Sequence, residues 1–129
     1  MEEISVQTSS REELQDITNK VKVVVRDSSV GDGICTIYVP HTTAGVTINE
    51  GADPDVARDI VSQLKQVAPR GNDYLHREGN SDAHIKSSLI GNTVQIIIEG
   101  GELQLGTWQG IFFAEFDGPR SRKVWVKLG

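Results

Sequence analysis

Apolar and polar residues alternate with a period of two in residues 2–8, a run short enough to be an edge strand, and again in residues 34–39. In the second run Cys35, Ile37 and Val39 share one face, while Ile34, Thr36 and Tyr38 share the other. After the polar turn Pro40-His41-Thr42-Thr43 the same period restarts at Val46 and Ile48, which reads as a hairpin-like pair of strands joined by residues able to do chemistry. The period then lengthens. Val56, Ile60, Leu64 and Val67 recur at helical spacing, with Ala57 and Val61 widening the stripe. Asp53 suits the cap of this helix, Pro54 suits its first position because no N–H is needed there, and Pro69 and Gly71 stop it. A shorter helix is expected to start with Ser81 as cap, to carry Ile85 and Leu89 one turn apart, and to end at Gly91-Asn92. Beyond it the chain reads as β throughout: Val94, Ile96 and Ile98 alternate, a Gly100-Gly101 turn follows, and residues 103–105, 108–116 and 124–128 supply further strands.

Residues 20–26 (KVKVVVR) carry both periods. Thr18 as a cap and the shared face of Val21, Val24 and Val25 fit a helix, but β-branched propensity and the alternation of Val21, Val23 and Val25 favour a strand, and propensity alone reads the segment as one. The whole pattern is α+β: a mainly antiparallel sheet with about three helices packed on it.

A chain of 129 residues fits one domain, 1–129, and can bury roughly two-thirds of its unfolded surface. Its 13 basic and 18 acidic residues leave a formal charge of −5, which argues against a general nucleic-acid coat, since phosphate binding needs a basic surface. No apolar run approaches the ~20 residues of a membrane span, so no membrane association is expected. MEEISVQ lacks the basic-then-apolar signal pattern, and a cytoplasmic location is the expectation. The single Cys35 excludes an internal disulfide and a cysteine-cluster metal site; alternating with Ile37, it reads as a small buried apolar side chain.

Candidate chemistry gathers at three places. His41, His76 and His84 all lie outside apolar runs. They either converge on one divalent metal, with a fourth position open as in catalytic zinc sites, or are three unrelated surface residues. In the first turn of a helix capped at Ser81, the dipole would keep His84 neutral, the form a metal accepts. Asn49-Glu50 and Asp53 follow the His41 turn; Glu50 suits a general base or a carboxylate orienting a ligating histidine, whereas Asp53 is explained by capping. The segment 115–122 (EFDGPRSR) combines turn residues with Arg120 and Arg122, a fork suited to phosphate or carboxylate, although Arg120 also suits a simple pair with Asp117. Glu115 shares a strand face with Ile111 and Phe113, so burial would demand a partner such as an arginine. Trp108 reads first as a core residue and second as a flat platform for substrate. Phosphate-loop, GxGxxG, nucleophile-elbow and HExxH motifs are absent.

The runs PHTTAGVTINEGADPDV, HREGNSDAHIKSSLIG and LQLGTWQGIFFAEFDGPRSRKVWV, in that order, resemble the YjbQ-like family of small bacterial and archaeal proteins. The resemblance implies an α+β fold, a helix over residues 18–28, and a compact homotrimer, which would also cover exposed strand edges. It implies a divalent metal, zinc by ligand type, at His41, His76 and His84. Glu50, Arg120 and Arg122 would be catalytic, and Thr42, Asn49, Asn80, Lys86, Trp108 and Gln109 would contact a small anionic metabolite. Family members are commonly labelled secondary thiamine-phosphate synthases, which join a pyrimidine-methyl diphosphate to a thiazole phosphate and release diphosphate. Two alternatives stand beside that activity: zinc-assisted hydrolysis of a small ester, lactone or phosphate, and a non-catalytic module that binds a metabolite or metal.

Overall fold

Strands form at the period-two runs other than residues 20–26, but they divide between two antiparallel sheets. In the computed structural model, which describes residues 1–129, the first sheet has the order β1-β8-β3-β5-β6 and the second β2-β7-β4. The first comprises β1 (Glu2–Gln7), β3 (Gly33–Tyr38), β5 (Thr93–Glu99), β6 (Glu102–Leu103) and β8 (Ser121–Leu128). The second comprises β2 (Glu13–Asp16), β4 (Ala44–Glu50) and β7 (Gln109–Glu115). The expected hairpin of β3 and β4 is therefore corrected: β3 pairs with β5 and β8, β4 with β7, and the turn at His41 carries the chain from one sheet to the other.

The inward rows of both sheets form the main core. Ile4 and Val6, Cys35 and Ile37, Ile96 and Ile98, and Val124 and Val126 meet Val46, Ile111 and Phe113 from the opposing sheet. Helix α1 (Thr18–Asp27) closes this core with Val21 and Val25, one turn apart and in line with Ile17. Residues 20–26 are thus helical despite their β-branched content, because that spacing buries a continuous stripe and burial outweighs local propensity. β7 is buried on both faces: Ala114 and Phe116 turn outward from the main core to join Ala83, Leu14, Leu64 and Ile90 beneath the other two helices.

Helix α2 (Pro54–Val67) starts as its sequence predicts, with the Asp53 carboxylate accepting the Asp55 N–H at 2.9 Å. Helix α3 (Ser81–Ile90) differs from expectation at both its start and its faces. Asn80, not Ser81, holds the cap position, and its side chain is engaged elsewhere. Asp82, Ala83, Lys86 and Ser87 are buried, whereas Ile85 and Leu89, the expected inner face, are 40% and 58% exposed. Charge inside and leucine outside is tolerated only because Asp82 and Lys86 bond each other at 2.8 Å and find further partners. The last turn of α3 lies close against β4. Val46 N–H donates to the Gly91 carbonyl at 3.1 Å, and a side chain at Gly45 would collide with that oxygen, so glycine is required by the approach.

Candidate functional site

At one end of the sandwich every inward apolar row gives way to a polar residue. Two residues beyond Val6 on its row lies Thr8; beyond Val39, His41; beyond Phe113, Glu115; and before Val124, Arg122. Thr8 and Arg122 both bond Glu115, and His41 lines a cavity together with Arg122. Glu115 is fully buried and its carboxylate accepts four hydrogen bonds: from Arg122 Nε at 2.9 Å, Arg122 Nη2, Thr8 Oγ1 at 2.7 Å and the Asp117 N–H at 3.0 Å. Burial alone would raise its pKa; the Arg122 guanidinium and these donors reverse the effect and hold it below the usual carboxylate range. Arg122 Nη2 also donates to Thr43 Oγ1 at 2.9 Å, binding β8 to the start of β4. Arg122 Nη1 has no partner within the chain, yet it is not sealed from solvent, and Arg122 lines an open cavity of about 440 Å³.

That cavity is lined by polar groups and one proline. His41, Thr42, Asn80, His84, Asp117, Arg120 and Arg122 contribute most of its wall. His41 is placed by the sheet edge: β3 stops pairing with β8 at Trp125, and the Lys123 N–H, two residues on, donates to His41 Nε2 at 3.0 Å. Accepting that bond requires a lone pair on Nε2, which assigns the ring proton to Nδ1. Burial, and after it the Arg122 charge, holds the His41 pKa below its ordinary value, so the ring is neutral at pH 7. Asp117 accepts from Arg120 Nη2 and from Asn80 Nδ2, each at 3.0 Å. With its amide so oriented, Asn80 presents Oδ1 to His76 Nε2 at 3.0 Å, which makes that nitrogen the donor. The His84 ring meets His76 edge-on, with centroids 5.6 Å apart. Ser87 Oγ ties α3 to the turn by donating to the Thr42 carbonyl at 2.6 Å.

Of the residues singled out in the sequence, His41, Thr42, His76, Asn80, His84, Arg120 and Arg122 are thus drawn to one end of the molecule. The three imidazoles nevertheless do not fit a three-histidine zinc centre. His41 Nε2 is occupied by the Lys123 N–H and Nδ1 carries the proton, so neither nitrogen offers a lone pair, and no three histidine, cysteine or acidic residues gather as a ligand set.

Four other candidates lie at the opposite end of the second sheet. β4 and β7 pair from Ala44 opposite Glu115 to Glu50 opposite Gln109. Six residues at about 3.3 Å each put Asn49, Glu50, Trp108 and Gln109 some ~20 Å from the cavity within one chain. Glu50 has a structural use there, its Oε2 accepting the N–H groups of Ala52 at 2.8 Å and Asp53 at 3.3 Å. Trp108, read first as core, is 66% exposed. Lys86 is also outside the cavity: it is 1% exposed, and its ammonium bonds Glu12 and Asp82 beneath α3. The parts that sequence reasoning missed are Thr8, Thr43 and the Lys123 N–H, whereas the expected pair of Arg120 with Asp117 forms. The signal for Thr8 was available in a row of alternating apolar residues that ends on a hydroxyl.

The family model for UPF0047, YjbQ-like proteins, matches residues 2–129. The chain is 58% identical over 123 residues to UPF0047 protein MJ1081 of Methanocaldococcus jannaschii, covering 95% of this chain and 89% of that one. It is 46% identical to YugU of Bacillus subtilis, covering 97% and 96% respectively. A solved structure of an uncharacterized conserved YjbQ/UPF0047 protein from Clostridium acetobutylicum superposes with a TM-score of 0.98 at 59% identity over the full length of both chains. A conserved hypothetical protein from Thermus thermophilus gives 0.93 at 45% identity, again over both full chains.

The buried pair predicts a specific response to mutation and pH. Arg122→Met strands Glu115 and is expected to cost about 3–5 kcal/mol in urea unfolding, whereas Glu115→Leu/Arg122→Met recovers most of that loss. In the wild type the folded pKa of Glu115 is depressed, so its contribution is present above the ordinary carboxylate value and is lost as pH falls through the folded one. In Arg122→Met only the Thr8 hydroxyl and the Asp117 N–H still oppose burial; the folded pKa is expected to rise above the ordinary value, and the variant should instead gain stability as pH falls towards it. Unfolding curves at several pH values would show the two slopes with opposite sign.

Proposed function

This chain belongs to the UPF0047 family of YjbQ-like proteins, and on that footing we propose that its polar cavity binds a small anionic metabolite through a phosphoryl group and acts on it by acid–base chemistry. The observation that carries this reading is the supply of free donors in a small cavity. Arg122 Nη1 opens onto it, and Arg120 uses Nε and Nη2 on Asp117, which leaves Nη1 free. His41 has Nδ1–H to give, because Lys123 holds its other nitrogen. Both guanidiniums are paired with carboxylates and Glu78 also lines the cavity, so it is the directed free N–H edges, rather than surplus charge, that suit the oxygens of an anion. A volume of about 440 Å³ suits a small molecule.

Chemically, these donors suit the oxygens of a departing phosphate or diphosphate, whose charge grows as its bond breaks. In the transfer that the family resemblance implies, the methylene–oxygen bond of the pyrimidine substrate breaks, diphosphate leaves with the electron pair, and the thiazole nitrogen forms the new C–N bond. Arg120, Arg122 and His41 would stabilise the leaving group, and no protein base is needed. In hydrolysis of a small phosphate, ester or lactone the same donors would hold the oxyanion while His84 takes a proton from water. Neither route uses Glu50 of the same chain.

The homotrimer is proposed on separate grounds. Leu75 is 100% exposed beside His76, and Ile85 and Leu89 face outward from α3 beside His84. Exposed apolar side chains on α3 and in the segment before it are suited to contact with another copy of the chain.

Two measurements test these statements. Inorganic diphosphate titrated into the 15N-labelled protein should shift the His41 and His84 ring resonances saturably. Arg120→Ala should weaken that response about tenfold, as expected for a lost charge-assisted hydrogen bond. Histidine resonances that do not move would reject the anion cavity. Sedimentation equilibrium of the wild type should return a trimer, with Leu89→Glu shifting it to monomer; a wild-type monomer at micromolar concentration would reject the assembly.

A further inference from the structure

A second, separate cavity of about 520 Å³ lies on the other side of α3, lined by Ser10, Arg11, Glu12, Lys65, Arg70 and Lys86 without one apolar residue. It is formed where the β1–β2 connection, the last turn of α2 and the chain following it meet the inner face of α3. Its inner wall is a closed set of charges. Lys86 Nζ bonds Glu12 Oε1 and Asp82 Oδ2, and Arg11 grips Asp82 with Nη1 at 3.1 Å and Nη2 at 3.2 Å. Two cations and two carboxylates cancel there. The outer wall does not cancel. Lys65 lies 3.9 Å from Glu12, beyond hydrogen-bond distance, and Arg70 forms no ion pair.

Hydrogen bonding is incomplete in the same sense. Arg11 Nε is the one buried side-chain nitrogen or oxygen in the protein without a partner. Lys86, 1% exposed, has two protein acceptors for three N–H groups. Buried donors left without acceptors are costly, and here they border a cavity with two surplus positive charges. We propose that this cavity is an anion site that takes a single phosphoryl group, either free phosphate or the head of a small phosphate ester. Arg70 and Lys65 supply the charge, and Arg11, whose Nε–H is left without a partner, lines the inner wall beside them. The site is independent of the histidine cavity: it contains no histidine and shares no lining residue with it. Lys65 also suits the carbonyl end of α2, so Arg70, which has no structural partner, is the residue whose removal reports on the ligand.

Arginine Nε–H resonances give a direct reading. Inorganic phosphate titrated into the 15N-labelled protein should move the Arg11 Nε–H signal saturably, and Arg70→Ala should weaken the response about tenfold without altering the melting temperature. Arg120→Ala, at the other cavity, should leave it unchanged, so the two anion sites succeed or fail separately. A simple phosphomonoester run in parallel identifies the source: tighter binding than inorganic phosphate assigns an ester, weaker binding assigns the free ion. An Arg11 signal that does not respond to phosphate, or a response retained in full by Arg70→Ala, would overturn the proposal.

Discussion

The Glu115–Arg122 pair is the contact on which the arrangement of the cavity depends. It joins the last inward position of β7 to the first inward position of β8, so it closes one end of the sandwich across the two sheets. Such a pair contributes little net stability by itself, because removing two charges from water offsets most of their attraction. It persists here because its hydrogen bonds are nearly complete. Thr8, Thr43 and the Asp117 N–H satisfy what the two ions leave over. The consequence is positional. The guanidinium is locked on one edge and open on the other, which fixes the free edge relative to His41 and Asn80 without the entropy cost of ordering a surface arginine at binding.

The same geometry decides the state of the imidazoles. His41 sits where β3 has ended but β8 continues, so a strand amide that would otherwise lack an acceptor takes the ring nitrogen instead. Backbone hydrogen bonding thus turns a candidate metal ligand into a neutral donor. Asp117 plays the corresponding part for His76 by orienting the Asn80 amide. His41 is consequently held in one tautomer by a backbone partner, His76 Nε2 is held as a donor to Asn80, and the His84 ring makes no hydrogen bond within the chain.

Much of this fold is legible in the sequence because it rests on period. The strands other than β2, whose four residues carry no alternation, follow from period two, and the α2 helix and its Asp53 cap follow from helical spacing and local capping chemistry. What periodicity lacks is pairing information, so β3 and β4 look like a hairpin although they belong to different sheets. Helix α3 misleads for a related reason. Ile85 and Leu89 look like an inner face, and only the ions supplied by residues 11 and 12, some seventy positions away, make Asp82 and Lys86 the buried pair. At the site, Glu115 is recognisable as a carboxylate in need of an arginine, and residue type brings the histidines and arginines to notice. Nearness in sequence groups Glu50 with His41, whereas a strand of seven residues separates them in space. Residue type also suggests a shared ligand role for three histidines, and hydrogen-bond direction, which no spacing encodes, gives His41 a different one.

The role of His41 as a neutral donor depends on the Lys123 amide holding its Nε2. Long-range 1H–15N correlation spectra of the histidine rings, followed through a pH titration, read that contact directly. The expected result is a His41 ring protonated on Nδ1 at pH 7 that becomes charged only below the ordinary histidine value. A His41 ring protonated on Nε2, or one that titrates at or above that value, would contradict it.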